Sequence, residues 1–299
     1  VGITVEIIRE VNEMHNRIMM LKQKQKKIGF VPTMGFFHDG HLQLMKKAKE
    51  ENDIVVASVF VNPLQFGPNE DFDRYPRNEA DDISKAEHVG VDLLFIPTVN
   101  EMYPQKMKIT MTINDRIDVL CGKARPGHFD GVITVVTKLF HIIQPNQVYF
   151  GMKDAQQVAV VDALIHDLNF PITLIGLPTV REEDGLAKSS RNVNLSSRER
   201  NEASWLYKAL KHGHHLVVDG EYNPAIIIKE INNIISDNTE GVIDYLEVLS
   251  YPELKPVSHM KQQVIIAIAV QFERARLIDN LLLSDDGHII RFWKQGETK

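Results

Sequence analysis

The feature that most constrains this chain is a set of short, nearly continuous apolar runs, each ending at a turn-forming polar cluster. The clearest is residues 54–61 (Ile-Val-Val-Ala-Ser-Val-Phe-Val). Residues 28–31, 91–96, 148–150 and 172–177 repeat the pattern. These runs are rich in β-branched residues and do not alternate apolar with polar. Strands buried on both faces read this way, as in a parallel sheet covered by helices. Between them lie stripes with helical spacing. Val132, Val135, Val136, Leu139, Phe140 and Ile143 form one, and Val158, Val161, Ile165 and Leu168 another. Strands alternating with helices predict an α/β domain with a Rossmann-like, doubly wound parallel sheet over residues 1–178.

The remainder, 179–299, reads as a smaller α+β lid domain. Ser196 with Glu199 makes a capping box, and Ala203, Leu206, Tyr207 and Leu210 continue a helix behind it. A second helix is predicted over 224–235, with Pro224 at a permitted first-turn position. Strand-like runs follow at 243–249, 264–270 and 277–283. A short hinge is expected near residues 179–181.

Composition narrows the class. The chain has 299 residues, 43% hydrophobic and 25% charged, an ordinary globular mix. A net charge of -6 argues against generic nucleic-acid binding. No apolar run reaches the ~18 residues a bilayer span needs, and residues 1–10 do not read as a secretory signal. The single Cys121 suits a reducing, cytoplasmic setting.

Open parallel sheets bind ligands beyond the carboxyl ends of their strands, and four polar stretches follow predicted strands. The first is Pro32-Thr33-Met34-Gly35-Phe36-Phe37-His38-Asp39-Gly40-His41, running straight into a helix. A helix N-terminus offers free N–H groups and partial positive charge to a phosphate. Two imidazoles beside it can donate to phosphate oxygens, which suits attack on an α-phosphate. The second contains Asn62 and Gln65, uncharged groups suited to a small hydroxy-carboxylate. The third is Gly151-Met152-Lys153-Asp154-Ala155-Gln156-Gln157. Lys153 can reach a polyphosphate as a point charge, and Asp154 is placed to cap the next helix. One of Gln156 and Gln157 should face the pocket and the other should not. The fourth, Arg181 to Asn192, puts Ser189 and Ser190 between Lys188 and Arg191, a loop able to close over a triphosphate.

Other polar groups carry plainer readings. Asp81 and Asp82 are weak candidates for a metal, with a plain helix surface the simpler account. His212, His214 and His215 read as an exposed helix end. Residues 125–131 (Arg-Pro-Gly-His-Phe-Asp-Gly) read either as a bare turn or as a Gly-rich loop feeding a helix.

The His38-x-x-His41 turn resembles the HIGH signature of nucleotidyl-transferring α/β enzymes, and residues 188–191 resemble their mobile second signature. The ordered set at 32–41, 60–77, 125–140, 151–157, 181–192 and 276–280 resembles the pantothenate synthetase (pantoate–β-alanine ligase) family. That resemblance implies a two-step, magnesium-requiring reaction in a homodimer. Pantoate attacks the ATP α-phosphate, and β-alanine then attacks the pantoyl-adenylate. It implies that residues from Met34 to His41 line the ATP site, with His41 usually assigned as proton donor and His38 a phosphate contact. By the same resemblance Gly151 to Asp154 and Val180 contact the nucleotide, Lys188 to Arg191 close over the phosphates, and Gln65 and Gln157 contact pantoate. Pantoate is already ionised near neutral pH, so His41 and Lys153 read mainly as electrostatic groups. Phe36-Phe37 stands where Ala-Leu is usual, Lys188 is one of several residues accepted there, and Lys85 stands where some members have glutamine. Three other readings fit less well. A different nucleotidyltransferase would have no need of the Asn62–Gln65 and Gln156–Gln157 pockets. The net charge argues against an aminoacyl-tRNA synthetase. A non-catalytic nucleotide-binding regulator would lack the complete set His38, His41, Lys153, Ser189, Ser190 and Arg191.

Overall fold

The computed structural model describes residues 4–68, 70 and 72–296. Asn69 and Asp71, within the stretch 60–77, lie outside the described residues, as do residues 1–3 and 297–299.

The chain runs β1 (Glu6–Ile8), α1 (Val11–Gln23), β2 (Ile28–Thr33), α2 (Asp39–Glu51), β3 (Ile54–Val59), α3 (Glu79–His88), β4 (Leu93–Phe95), α4 (Val99–Met102), α5 (Leu120–Ala124), α6 (His128–Ile143), β5 (Gln147–Gly151), α7 (Ala155–Asp167) and β6 (Thr173–Leu177). It continues through α8 (Ser197–Ala203), α9 (Trp205–Val218), α10 (Pro224–Asn238), β7 (Val242–Ser250), β8 (Val264–Gln271), β9 (Arg276–Leu283) and β10 (Trp293–Lys294).

All five apolar runs of the first segment become strands of one sheet, in the order β1-β4-β3-β2-β5-β6-β10. Every pairing is parallel except β10 with β6. The strands are buried as their composition demands: Val55, Val56, Ala57, Val148 and Tyr149 have no exposed surface. Helix α6 is apolar nearly all round and so belongs inside. Of the second stripe, Leu168 falls just past the end of α7 and is 49% exposed.

The sheet order creates one crevice. From β2 the chain moves outward through β3 and β4, then returns to lay β5 on the other side of β2. The order therefore reverses between β2 and β5, where such sheets bind ligands. The two strands also part there. The β2–β3 ladder continues to Thr33, but the β2–β5 ladder stops at Phe30. Pro32, which has no N–H to give a ladder, lies beyond the last β2–β5 pair and so costs the sheet little.

The second segment forms an antiparallel sheet, β7-β8-β9, with α9 and α10 over it. The capping box at Ser196 and Glu199 is present, and Pro224 starts α10. The helix behind the box is broken at Ser204 into α8 and α9. The main core also takes residues from this segment, among them Tyr251, Ile265, Leu282 and Trp293. Strand β10 returns to the large sheet beside β6.

Candidate active site

The crevice at the switch point has a volume of about 240 Å³. Its walls include Met34, His38, His41, Gln65, Lys153 and Gln157, brought from three strand ends. A wider cleft of about 1240 Å³ adjoins it, between α7 and the small sheet, sharing Lys153, Asp154 and Gln157.

The turn after β2 is built to present two imidazoles. His38 is the N-cap of α2, its Nδ1 accepting the Gly40 N–H at 3.1 Å. His41, three residues on, accepts the His38 N–H at its own Nδ1, 3.3 Å away. This is a capping box made of histidines rather than Ser and Glu. An acceptor Nδ1 leaves the proton on Nε2, so each ring keeps one N–H for the crevice. The rings lie 4.1 Å apart between centroids. Burial, then the Lys153 charge, pushes His38 down to about 4. Burial and His38 hold His41 well below its ordinary range. Both rings are therefore neutral N–H donors at pH 7.

Not every residue of 32–41 reaches the wall. Pro32, Thr33, Met34, His38, Gly40 and His41 do. Phe37 is instead 2% exposed in the core between α2 and the sheet. Gly35 and Phe36 both take positive φ, +81° and +53°, to make the reversal. Asp82, 1% exposed on α3, braces that strained turn. Its carboxylate accepts the Phe36 N–H at 2.9 Å and the Phe37 N–H at 2.6 Å. Asp82 is thus not on a plain helix surface. Burial raises its pKa while the two N–H groups oppose the rise. Asp81 pairs with Lys85 at 2.7 Å. Both Asp82 oxygens and one of Asp81 are thus engaged, which disfavours the pair as a magnesium site. Among the described residues no three His, Cys, Asp or Glu side chains gather as metal ligands would. That includes His212, His214 and His215; His214 bonds the Gly287 carbonyl at 3.1 Å.

The turn after β3 holds Gln65. Asn62 caps it, accepting the Leu64 N–H at 3.3 Å and the Tyr103 hydroxyl at 2.9 Å. Its amide donates to the Gly131 carbonyl at 3.0 Å and to Gln65 Oε1 at 3.2 Å. Asn62 is 1% exposed and fully engaged, so it positions Gln65 and offers a ligand little. Among the described residues the Gln65 amide nitrogen meets Met34 Sδ, at 3.4 Å.

After β5, Lys153 stands on a short 3-10 turn, Met152–Asp154, with Met152 turned into the core. Asp154 does not cap α7: its side chain makes no cap bond and stays 53% exposed at the crevice mouth. The paired glutamines divide as their spacing requires. Gln156 is buried, donating to the Arg116 and Val119 carbonyls at 2.8 and 2.9 Å. Gln157 lines the crevice.

The loop 181–192 lies against these turns. Lys188 forms an ion pair with Asp39, at the start of α2, which raises the lysine and lowers the aspartate. Ser189 caps the short helix that follows, and Ser190 meets the Tyr75 hydroxyl at 3.4 Å. The Arg191 guanidinium sits 5.8 Å from the Tyr75 ring centre, and Val180 completes the wall.

Sequence reasoning noticed 125–131 without giving it a role. Arg125 pairs with Glu70 and touches His128 Nε2 at 3.0 Å, while His128 Nδ1 donates to the Gln65 carbonyl at 2.8 Å. Burial and Arg125 push His128 down to about 4. This network fixes the Gln65 backbone. Asp82 stood out in the sequence only as a metal candidate, and its bracing role, like the roles of Glu70 and Tyr75, carried no sequence signal.

A family model described as pantoate-beta-alanine ligase matches residues 6–282. The chain is 57% identical over 277 residues to a pantothenate synthetase of Geobacillus sp. (strain WCH70), covering 93% of this chain and 98% of that one. It is 53% identical over 276 residues to that of Bacillus subtilis (strain 168), covering 92% and 96%. The crystal structure of pantothenate synthetase from Thermus thermophilus superposes with a TM-score of 0.88 at 43% identity, covering 93% of this chain and 99% of that one. That of the pantoate-beta-alanine ligase from Francisella tularensis, complexed with beta-gamma ATP and beta-alanine, gives 0.77 at 36%, covering 93% and 97%. With the family model spanning nearly the whole chain and relatives this similar, the chain belongs to the pantoate-beta-alanine ligase family.

Proposed function

We propose that this chain joins pantoate to β-alanine with ATP, through a pantoyl-adenylate, releasing pyrophosphate and AMP. One observation carries the reading: two neutral imidazole N–H donors, the Lys153 ammonium and the Gln65 and Gln157 amides converge on one crevice. The amides suit the hydroxyl and carboxylate groups of pantoate. The imidazoles and Lys153 suit a polyphosphate.

In the first step a pantoate carboxylate oxygen bonds to the α-phosphorus and the bond to the β-phosphate bridge breaks. The carboxylate needs no base. The demand is charge stabilisation, met by the Nε2–H groups of His38 and His41, by Lys153, and by Lys188, Ser189, Ser190 and Arg191 over the departing pyrophosphate. Alignment of the two reactants supplies much of the remainder. In the second step the β-alanine nitrogen bonds to the acyl carbon and AMP leaves with the electron pair of the acyl–oxygen bond. No crevice imidazole holds a free acceptor nitrogen, so the amine proton passes to water. Magnesium would arrive with the nucleotide in this reading and would help neutralise its phosphates.

The division into 1–178 and 179–299, a homodimer and a cytoplasmic location belong to the same proposal. A core drawn only from residues 186–283 supports the first, the family the second, and the lone Cys121 the third. Among the described residues no helix is long and apolar enough to cross a membrane.

The test is pantoate-dependent ATP–pyrophosphate exchange with magnesium and without β-alanine. Exchange that requires pantoate is the expected result. ATP binding without such exchange would overturn the reading and favour a nucleotidyltransferase with another acceptor.

A further inference from the structure

Strand β9 lies outside the crevice, yet it carries two buried polar residues in succession. Asp279 is 2% exposed and Asn280 8%. Polar groups are buried at a cost unless their bonds are made, and both make theirs to the active-site turns. The Asn280 amide nitrogen donates to the Met152 and Lys153 carbonyls, each at 2.9 Å. Those carbonyls belong to the two peptide groups that flank the Lys153 Cα. One amide holding both planes restricts φ and ψ at Lys153, and so the direction in which its side chain leaves the turn.

Asp279 does the corresponding work on the opposite loop. Its carboxylate accepts the Arg181 guanidinium at 2.6 and 2.9 Å. Arg181 also donates to the Gly185 carbonyl at 3.0 Å and lies 3.7 Å over the Tyr207 ring. The hairpin it anchors pairs Arg181 with Ala187, and the Lys188 N–H bonds the Val180 carbonyl at 2.9 Å. Lys188 is thereby delivered to the start of α2. Asp279 Oδ1 also accepts the Asn280 N–H at 2.8 Å, which ties the two anchors together.

The geometry points to Asp279 and Asn280 as a positioning pair: the small sheet sets the register between the Lys153 turn and the Lys188 loop. Neither residue reaches the reacting atoms. The inference rests on the proposed function for its readout.

The experiment is a double-mutant cycle on Lys153→Ala and Asn280→Ala, read as the maximal rate of pantoate-dependent ATP–pyrophosphate exchange, with the thermal midpoint measured alongside. A misplacement near 1 Å costs up to ~10²-fold, so Asn280→Ala should lose about 10–100-fold in rate. Independent sites give multiplicative losses. If Asn280 acts through Lys153, the same substitution in the Lys153→Ala background costs within about twofold. Wild-type rates in Asn280→Ala, or the same fold loss in both backgrounds, would overturn the assignment. Where Asn280→Ala does not fold, Asn280→Ser, with one donor in place of two, runs the same cycle. A wild-type protein without exchange sinks the proposed function alone. The cycle is then read from ATP dissociation constants of the same four proteins, with the same non-additivity expected and additive losses counting against the pair.

Discussion

At the scale of single residues, the crevice depends on where protons sit. His41 accepts a backbone N–H at Nδ1 and is held neutral, so its Nε2 can donate a hydrogen bond but has no spare acid proton at pH 7. This separates two roles. Losing one charge-stabilising donor costs about 10²–10³-fold, and His41→Ala should fall in that range in the exchange assay. Glutamine carries an amide N–H at nearly the reach of Nε2. His41→Gln should therefore recover at least about tenfold of that loss. Equal losses in the two variants would exclude donation as the role of His41. A second consequence concerns pH. His38 titrates at about 4 in the fold, against an ordinary 6.5. Between those values the unfolded chain binds a proton that the folded chain does not, so stability falls as pH drops through this window. His38→Asn removes the titration and keeps an N-cap acceptor. Urea unfolding at pH 7 and pH 5 should show the wild type losing about 2 kcal/mol more than the variant. Equal losses would mean that His38 is not held neutral. The histidines, Lys153, Gln65 and Gln157 were legible because each sits in a short motif at a strand end. Their supports were not: Asp82 braces a turn 45 residues away, and no local pattern marks such a partner.

At the scale of elements, the apolar runs gave the strands because burial on both faces leaves a local composition. Strands β1 and β10 were not legible. They have three and two residues, and their neighbours β4 and β6, not intrinsic preference, make them strands. Helix α6 shows how an element reaches the site without touching substrate. Gly131 lies where α6 crosses the turn Pro63–Gln65, and its carbonyl takes the Asn62 amide. A Cβ at this position would fall inside the contact distance of the Leu64 carbonyl, and backbone has no rotamer with which to yield. Gly131→Ala should therefore push the turn and carry Gln65 with it. We expect the pantoate KM to rise by about tenfold or more, with the ATP KM changed far less. An unchanged pantoate KM would mean that Gln65 is not a substrate contact, or that α6 moves in place of the turn.

At the scale of the whole molecule, the two predicted segments share more than a hinge. The sequence separates them by pattern, continuous apolar runs before residue 178 and helices followed by strands after it. It does not disclose that the later segment sends side chains back into the first core. Trp293 is 8% exposed, lies against β6, and meets Tyr251 edge-on at 5.8 Å. The Tyr251 hydroxyl reaches the Ala155 carbonyl at the start of α7, 3.2 Å away. Contacts of this kind couple the cores, so unfolding should be one transition. The two tryptophans report on both parts, Trp205 from α9 and Trp293 from the large sheet. Fluorescence and far-ultraviolet circular dichroism should therefore give coincident urea curves. Two separated transitions would show independent domains. Trp293→Ala tests the coupling from the other side. Removing a buried tryptophan costs about 3–5 kcal/mol. The crevice is framed by the ends of β2, β3 and β5 and by residues 178–180 past β6, while β10 pairs with β6 short of those residues, at Ile175 and Gly176. The variant should accordingly lose stability of that order while its exchange rate at 25 °C stays within about twofold of wild type, since the Asn280 amide holds the Lys153 turn independently of β10. A large loss of rate with little loss of stability would place Trp293 in the positioning of the Lys153 turn rather than in the joint between the cores, since Met152 packs in the same core.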